Sequence, residues 1–236
     1  EAALGGTIAM TGSNGVVPTL LADQLVAAVP GLDKLAILDA QSFRQMPGAH
    51  LGFADIEALA AAIEGKVAAG AAGVVVTQGT DTIEEVAFAL DCLLAVEAPV
   101  VVTGAMRNPM LPGADGAANL FAAATVAASA TARGLGVLVA MNDEIHAARF
   151  VRKMHTHSPA AFASPAAGPL GFVSEGKVAI NTRVPRRAAI KRIPSPRDIY
   201  VALVTLALDD DGRLIDAAVS SGCAAIVVAA MGGGHA

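Results

Sequence analysis

Residues 73–94 read Gly-Val-Val-Val-Thr-Gln-Gly-Thr-Asp-Thr-Ile-Glu-Glu-Val-Ala-Phe-Ala-Leu-Asp-Cys-Leu-Leu, and they decide the fold. Gly73 to Thr77 is apolar without alternation, which describes a strand buried on both faces. Ile83, Val86, Ala87, Leu90, Leu93 and Leu94 fall at offsets 0, 3, 4, 7, 10 and 11, the apolar stripe of an amphipathic helix. Between them, Gly79-Thr80-Asp81-Thr82 is a turn. Thr82 with Glu85 fits a capping box at the helix start, and Asp81 with Glu84 fits one less typically. A fully buried strand followed at once by a helix is half of a crossover unit in a parallel sheet.

The same texture extends outward. Downstream, Pro99–Thr103 and Gly136–Met141 repeat the buried strand, with a helix over Asp115–Ala130 between them. Upstream, Ala54–Ala69 carries Ile56, Leu59, Ala60 and Ile63 at helical spacing. Leu35–Ala40 is an apolar run of strand length, and Thr19–Val29 is a helix that stops at Pro30-Gly31. Leu4 enters Gly5-Gly6-Thr7 as the end of a first strand. The expected fold is α/β: a parallel-sheet N-terminal domain with helices on both faces over residues 1–180.

From Ser158 the composition changes. Six of the twelve prolines lie between Pro159 and Pro196, with Arg183, Arg186, Arg187, Lys191, Arg192 and Arg197. Residues 181–197 therefore read as a linker with a solvated basic face. After it, Ile199–Leu208 is a strand, Leu214–Ser221 a helix and Ala224–Ala230 a strand. One strand–helix–strand unit cannot cover its own sheet edges. Residues 198–236 are therefore expected to be the start of a smaller, incomplete C-terminal α/β domain.

Composition excludes several classes. Of 236 residues, 54 % are hydrophobic and 16 % charged, which is incompatible with disorder. The net charge of −5 and 3 % aromatic residues speak against nucleic acid, whose affinity comes from many cations and from stacked rings. The charge-free, alanine-rich stretch Gly116–Ala132 carries Ser, Thr and Asn, too polar for a membrane span. Two distant cysteines, Cys92 and Cys223, form no disulfide framework and suit a reducing cytoplasm. His155 and His157, near His146, Asp143 and Glu144, raise the thought of zinc, but two histidines two apart do not share a direction along a strand. No basic leader precedes Gly5, although the true N-terminus is expected to lie upstream, which keeps a periplasmic or secreted location open.

In open parallel sheets, ligands bind beyond the carboxyl ends of strands. The residues at those ends are Thr7, Ser42, Gln78-Gly79-Thr80-Asp81 and Gly104-Ala105-Met106-Arg107. Two threonines, each preceded by a glycine that lets substrate approach the backbone, suggest acyl transfer by an activated hydroxyl.

Gly5-Gly-Thr-Ile-Ala9, Gln78-Gly-Thr-Asp-Thr-Ile-Glu-Glu85, and Gly104-Ala-Met-Arg107 followed by Ala114-Asp-Gly116 resemble the bacterial L-asparaginase and glutaminase-asparaginase family in order and spacing, from about Leu4 to Gly234. Each motif is weak alone; the combination is specific. The resemblance implies a large N-terminal and a smaller C-terminal α/β domain, and hydrolysis of a side-chain amide of L-asparagine, with L-glutamine as an alternative substrate, without metal or organic cofactor. It implies Thr7 as nucleophile and Thr80 and Asp81 as the second threonine and its acid, with Asp81 on the substrate ammonium. Lys153 is then the lysine paired with Thr80; burial eases loss of a lysine proton. Ser42 and Gly79 would bind substrate, and Ala105 would offer its carbonyl. Gln78 stands where several members carry histidine and receives no role.

Two departures stand out. The loop Thr11-Gly-Ser-Asn-Gly-Val-Val17 lacks the tyrosine many members place there; Gly15 lies near its position, and Tyr200, the sole tyrosine, is elsewhere. The part of the small domain that supplies an acidic residue to a neighbouring subunit is also not among these residues. The family is a homodimer or homotetramer with shared sites. An amidotransferase subunit that draws ammonia from glutamine, a binding protein without turnover, and a dinucleotide-binding oxidoreductase are the rival readings; the last lacks its third glycine after the first strand.

Overall fold

The computed structural model describes residues 2–3, 22–190 and 199–235. Thr7, the loop 11–17 and the basic residues Lys191, Arg192 and Arg197 lie outside them. The chain divides into two compact units, Glu1–Lys191 and Arg192–Ala236.

The first unit is built on one sheet. Its parallel part comprises β1 (Ala2–Ala3), β2 (Gln41–Ser42), β3 (Val74–Thr77), β4 (Val100–Thr103) and β5 (Val137–Met141), in the spatial order 2-1-3-4-5. The valine runs sit in the middle, as their lack of alternation requires. Val75, Val101, Leu138 and Ala140 face a core that includes Leu25, Leu32, Leu120 and Val126. Their neighbours Val74, Val76, Val100, Val102, Val137 and Val139 face a second core with Ile56, Leu59, Ile63, Val86 and Leu90. One layer of helices is thus α1 (Ala22–Ala27), α2 (Leu32–Leu35) and α5 (Gly116–Ala128). The other is α3 (Phe53–Ala68) and α4 (Ile83–Leu93).

Three differences from the sequence reading have physical causes. The run 35–40 is not a strand: α2 ends at Leu35, Ile37 is fully exposed, and ladder pairing begins only at Gln41. A short apolar run does not carry enough periodicity to separate these outcomes. Thr82 does not cap α4; its hydroxyl donates to the Gly48 carbonyl at 3.0 Å. And the sheet is mixed. Beyond β5 it continues antiparallel through β6 (Glu144–Ala147), β9 (Gly171–Ser174) and β10 (Lys177–Ile180). Asn142-Asp143 and Glu175-Gly176 both take positive φ at two consecutive positions, the two-residue hairpin turn that matches strand twist.

A separate ladder pairs β7 (Arg152–Lys153) with β8 (Phe162–Ala163). Residues 181–190 have no regular structure but are not a purely solvated face. Arg186 donates to the carbonyls of Leu94 (2.7 Å) and Val96 (2.5 Å), and Arg183 to that of Thr131 (2.7 Å). These carbonyls lie just beyond α4 and α5, where backbone acceptors lack helical partners.

The second unit holds β11 (Val201–Thr205), α6 (Arg213–Ser220) and β12 (Ala225–Ala229), with the two strands parallel. Among the described residues no helix is long and apolar enough to cross a membrane.

His146 on β6 is completely buried. Its Nδ1 lies 3.0 Å from Ser164 Oγ, and its Nε2 lies 3.3 Å from Glu144 Oε2 without hydrogen-bond alignment. Burial pushes its imidazole down to about 4, from an ordinary 6.5. Between those values the unfolded chain binds the proton and the folded one does not. Stability is therefore full above 6.5 and lost as pH falls toward 4, by about 2–3 kcal/mol between pH 7.5 and 4.5. Unfolding free energies from urea titrations at the two pH values are expected to differ by that amount more in the wild type than in His146→Gln. Equal pH dependence in both would remove His146 as the cause.

Candidate active site

The parallel strands end level with one another. Register pairs Ala3 with both Ser42 and Thr77, and Thr77 with Thr103. The order 2-1-3 reverses direction at β1/β3, where open sheets leave a crevice at their carboxyl edge. The turn after β3 starts from that crevice.

Gln78 and Gly79 lead into a short 3-10 turn, Thr80–Thr82, which runs directly into α4. This piece is held from two sides. Gly104, after β4, lies so close that a Cβ there would sit 2.6 Å from the Gln78 carbonyl oxygen and 3.3 Å from Thr80 Cγ2. Gly48 approaches from the other side, where a Cβ would meet the Gly79 oxygen at 3.0 Å and Thr82 Oγ1 at 3.1 Å. A side chain does not fit at Gly104, and at Gly48 it would fit only if the Gly79 carbonyl gave way. Gln78 is fully buried; its Nε2 donates to the Gly79 carbonyl at 3.3 Å, and its Oε1 has no partner among the described residues.

On this turn the side chains grade from inside to outside. Thr80 is 7 % exposed. Lys153, arriving from β7, is 20 % exposed, and Asp81 is 69 % exposed. Lys153 Nζ donates to Thr80 Oγ1 at 2.9 Å and to Asp81 Oδ1 at 3.3 Å. An amine, a hydroxyl and a carboxylate thus share one hydrogen-bonded cluster, assembled from segments 73 residues apart. Such a cluster can shuttle a proton between nitrogen and oxygen and can hold a positively charged group at its outer, acidic side.

The loop after β4 is fixed by groups that sequence reasoning missed. Asp115 stands just before α5 yet does not cap it; its carboxylate accepts the backbone N–H groups of Met106 (2.9 Å) and Arg107 (2.9 Å). Asn119 donates to the Gly104 carbonyl and to Asp115, and accepts the N–H of Asn142. Gly104-Ala105-Met106 is therefore clamped beside the Thr80 turn, with Ala105 buried. Ser42 lies on the edge strand, exposed, with its Oγ accepting the N–H of Ala22 at 3.1 Å; among the described residues no hydrogen bond joins it to the Thr80 cluster. His155 turns its Nδ1 to the N–H groups of His157 and Ser158. Among the described residues no three of His, Cys, Asp and Glu gather as a metal set.

Comparison with known proteins bears on this geometry. The family described as "Asparaginase, N-terminal" matches residues 2–186. The chain belongs to the asparaginase family. A glutaminase-asparaginase of Pseudomonas fluorescens biotype A is 35 % identical, over 98 % of this chain and 67 % of its own length. An L-asparaginase of Bacillus licheniformis is 34 % identical, over 98 % and 72 %. Among solved structures, one described as a probable cytoplasmic L-asparaginase from Campylobacter jejuni has a TM-score of 0.90 and 32 % identity, over 99 % of this chain and 75 % of that one. Across four curated asparaginase relatives, the chain spans from 50 % to 72 % of their length.

Proposed function

We infer that the protein hydrolyses the side-chain amide of L-asparagine to L-aspartate and ammonia. The observation that carries this is the Lys153–Thr80–Asp81 cluster, at the carboxyl edge of the sheet, in a chain of the asparaginase family.

In this reading the Thr7 hydroxyl oxygen attacks the amide carbon and its proton passes to a base. The carbonyl oxygen becomes an oxyanion, and stabilising that charge lowers the barrier. The C–N bond then breaks, the nitrogen takes up a proton, and ammonia leaves an ester on Thr7. Water attacks the ester; its hydroxyl stays on the carbonyl carbon and its remaining proton returns to the Thr7 oxygen. Thr80 and Lys153 handle these protons: the Thr80 hydroxyl passes one to Lys153 Nζ and takes it back. Asp81 pairs with the substrate's α-ammonium. Ser42 and the backbone at Gly79 hold its α-carboxylate, and the Ala105 carbonyl accepts from the amide nitrogen.

L-Glutamine is a second substrate in this reading, supported by the name of the Pseudomonas relative. An assembly of two or four copies with shared sites is proposed with it, since isologous contacts let chains complete each other. A cytoplasmic location follows the description of the Campylobacter neighbour. The test is direct: the purified protein is expected to release ammonia from L-asparagine with stoichiometric L-aspartate. Binding of L-asparagine without ammonia release would overturn the assignment and favour a binding protein.

A further inference from the structure

We propose that Glu84 is a positioning residue that places Lys153 against Thr80; this rests on reading those two as a catalytic pair. Glu84 lies in the first turn of α4. Its Oε2 accepts the backbone N–H of Lys153 at 2.7 Å, across 69 residues of sequence, and its Oε1 lies 3.7 Å from Arg152 Nη1. The carboxylate is only 24 % exposed, so the hydrogen bond to the N–H is shielded, short and charge-assisted.

The placement gives this bond its meaning. β7 is two residues long and belongs to a ladder separate from the main sheet. A lysine stem is long and flexible, so a small shift of its backbone lets Nζ leave Thr80. Thr80 and Glu84 sit on one continuous turn–helix piece, which Gly104 and Gly48 hold closely. By gripping the Lys153 backbone, Glu84 fixes both partners to that single body. The amine then meets the hydroxyl without an ordering cost at each turnover. Arg152 is 70 % exposed, so its ion pair with Glu84 is screened and contributes little.

The test is kinetic, on the asparaginase reaction of the protein. Glu84→Ala is expected to lower kcat about 30-fold with KM for L-asparagine changed less than about twofold. Glu84→Gln, which keeps an acceptor, is expected within about threefold of wild type, and Arg152→Ala within about twofold. In a Lys153→Met background, Glu84→Ala is expected to change kcat less than about twofold, because the group it positions is gone. If Glu84→Ala does not fold, Glu84→Met, which keeps the stem, is read by the same criteria. The proposal is overturned if Glu84→Ala keeps wild-type kcat, if Glu84→Gln is as slow as Glu84→Ala, or if the Glu84 effect persists undiminished beside Lys153→Met. A Lys153→Met enzyme with wild-type kcat sinks the catalytic pair itself, which separates that failure from the failure of Glu84.

Discussion

Thr80→Val is expected to lower kcat for ammonia release from L-asparagine by about 10³-fold, the scale on which losing a positioned proton-transfer group is felt. The substitution is nearly isosteric. The side chain is almost fully buried against Gly104, so the fold has no reason to shift. What disappears is the hydroxyl 2.9 Å from Lys153 Nζ, and with it the path by which, in the proposed reaction, a proton reaches the amine. Because Asp81 and the clamped Gly104–Arg107 loop stay in place, substrate affinity should move far less than turnover. Thr7→Ala is expected to cost at least ~10⁴-fold, since in the proposed reaction it removes the attacking oxygen and not a proton-transfer helper. Stopped assays of ammonia and aspartate at saturating L-asparagine measure both. Wild-type turnover in either variant would reject threonine catalysis.

The second large effect is on stability. Gly73 precedes β3 where the C-terminal end of α5 passes, and a Cβ there would lie 2.0 Å from the Ala127 carbonyl oxygen and 2.8 Å from its carbon. Both are backbone atoms, so no rotamer change relieves the overlap. Gly73→Ala must lift α5 away from Val75 and Val101 or displace β3, and overpacking of that severity costs about 3–4 kcal/mol. A drop in Tm of roughly 10 °C is expected by scanning calorimetry or circular dichroism. A Tm within 2 °C of wild type would mean that the helix does not seat at this point.

The particular elements explain what sequence alone could convey. The central strands were legible because Val74–Thr77, Val100–Thr103 and Val137–Met141 are buried on both sides, and only continuous apolar runs satisfy that. The α4 stripe was legible for the matching reason at helical period. The antiparallel extension is not legible in the sequence, because the positive-φ turns Asn142-Asp143 and Glu175-Gly176 that set it up are a two-residue signal, against the 11 to 16 residues of α3, α4 and α5. Thr82 carries a local capping signal that a long-range acceptor, the Gly48 carbonyl, outcompetes. At the site, Thr80 and Asp81 could be chosen from their position after a strand. Lys153 could not: nothing in Val-Arg-Lys-Met sets it apart, and its place came from family likeness. Asp115 and Asn119 look like ordinary helix-start residues, and their hold on the Gly104 loop depends on which loop the fold brings beside them. Glu84 has the same character, its partner being a backbone group far along the chain.

The distance along the polypeptide between the hydroxyl and the amine has a consequence for biogenesis. Translation delivers the threonine turn first, and α4 can form around it while the lysine has yet to be polymerised. The short hairpin that carries the lysine also needs Phe162 and Ala163 for its ladder. A nascent polypeptide that has emerged only to position 150 therefore holds the threonine turn without the amine that the proposed reaction pairs with it, and that amine arrives only once the later strand pair has left the ribosome and closed onto the scaffold.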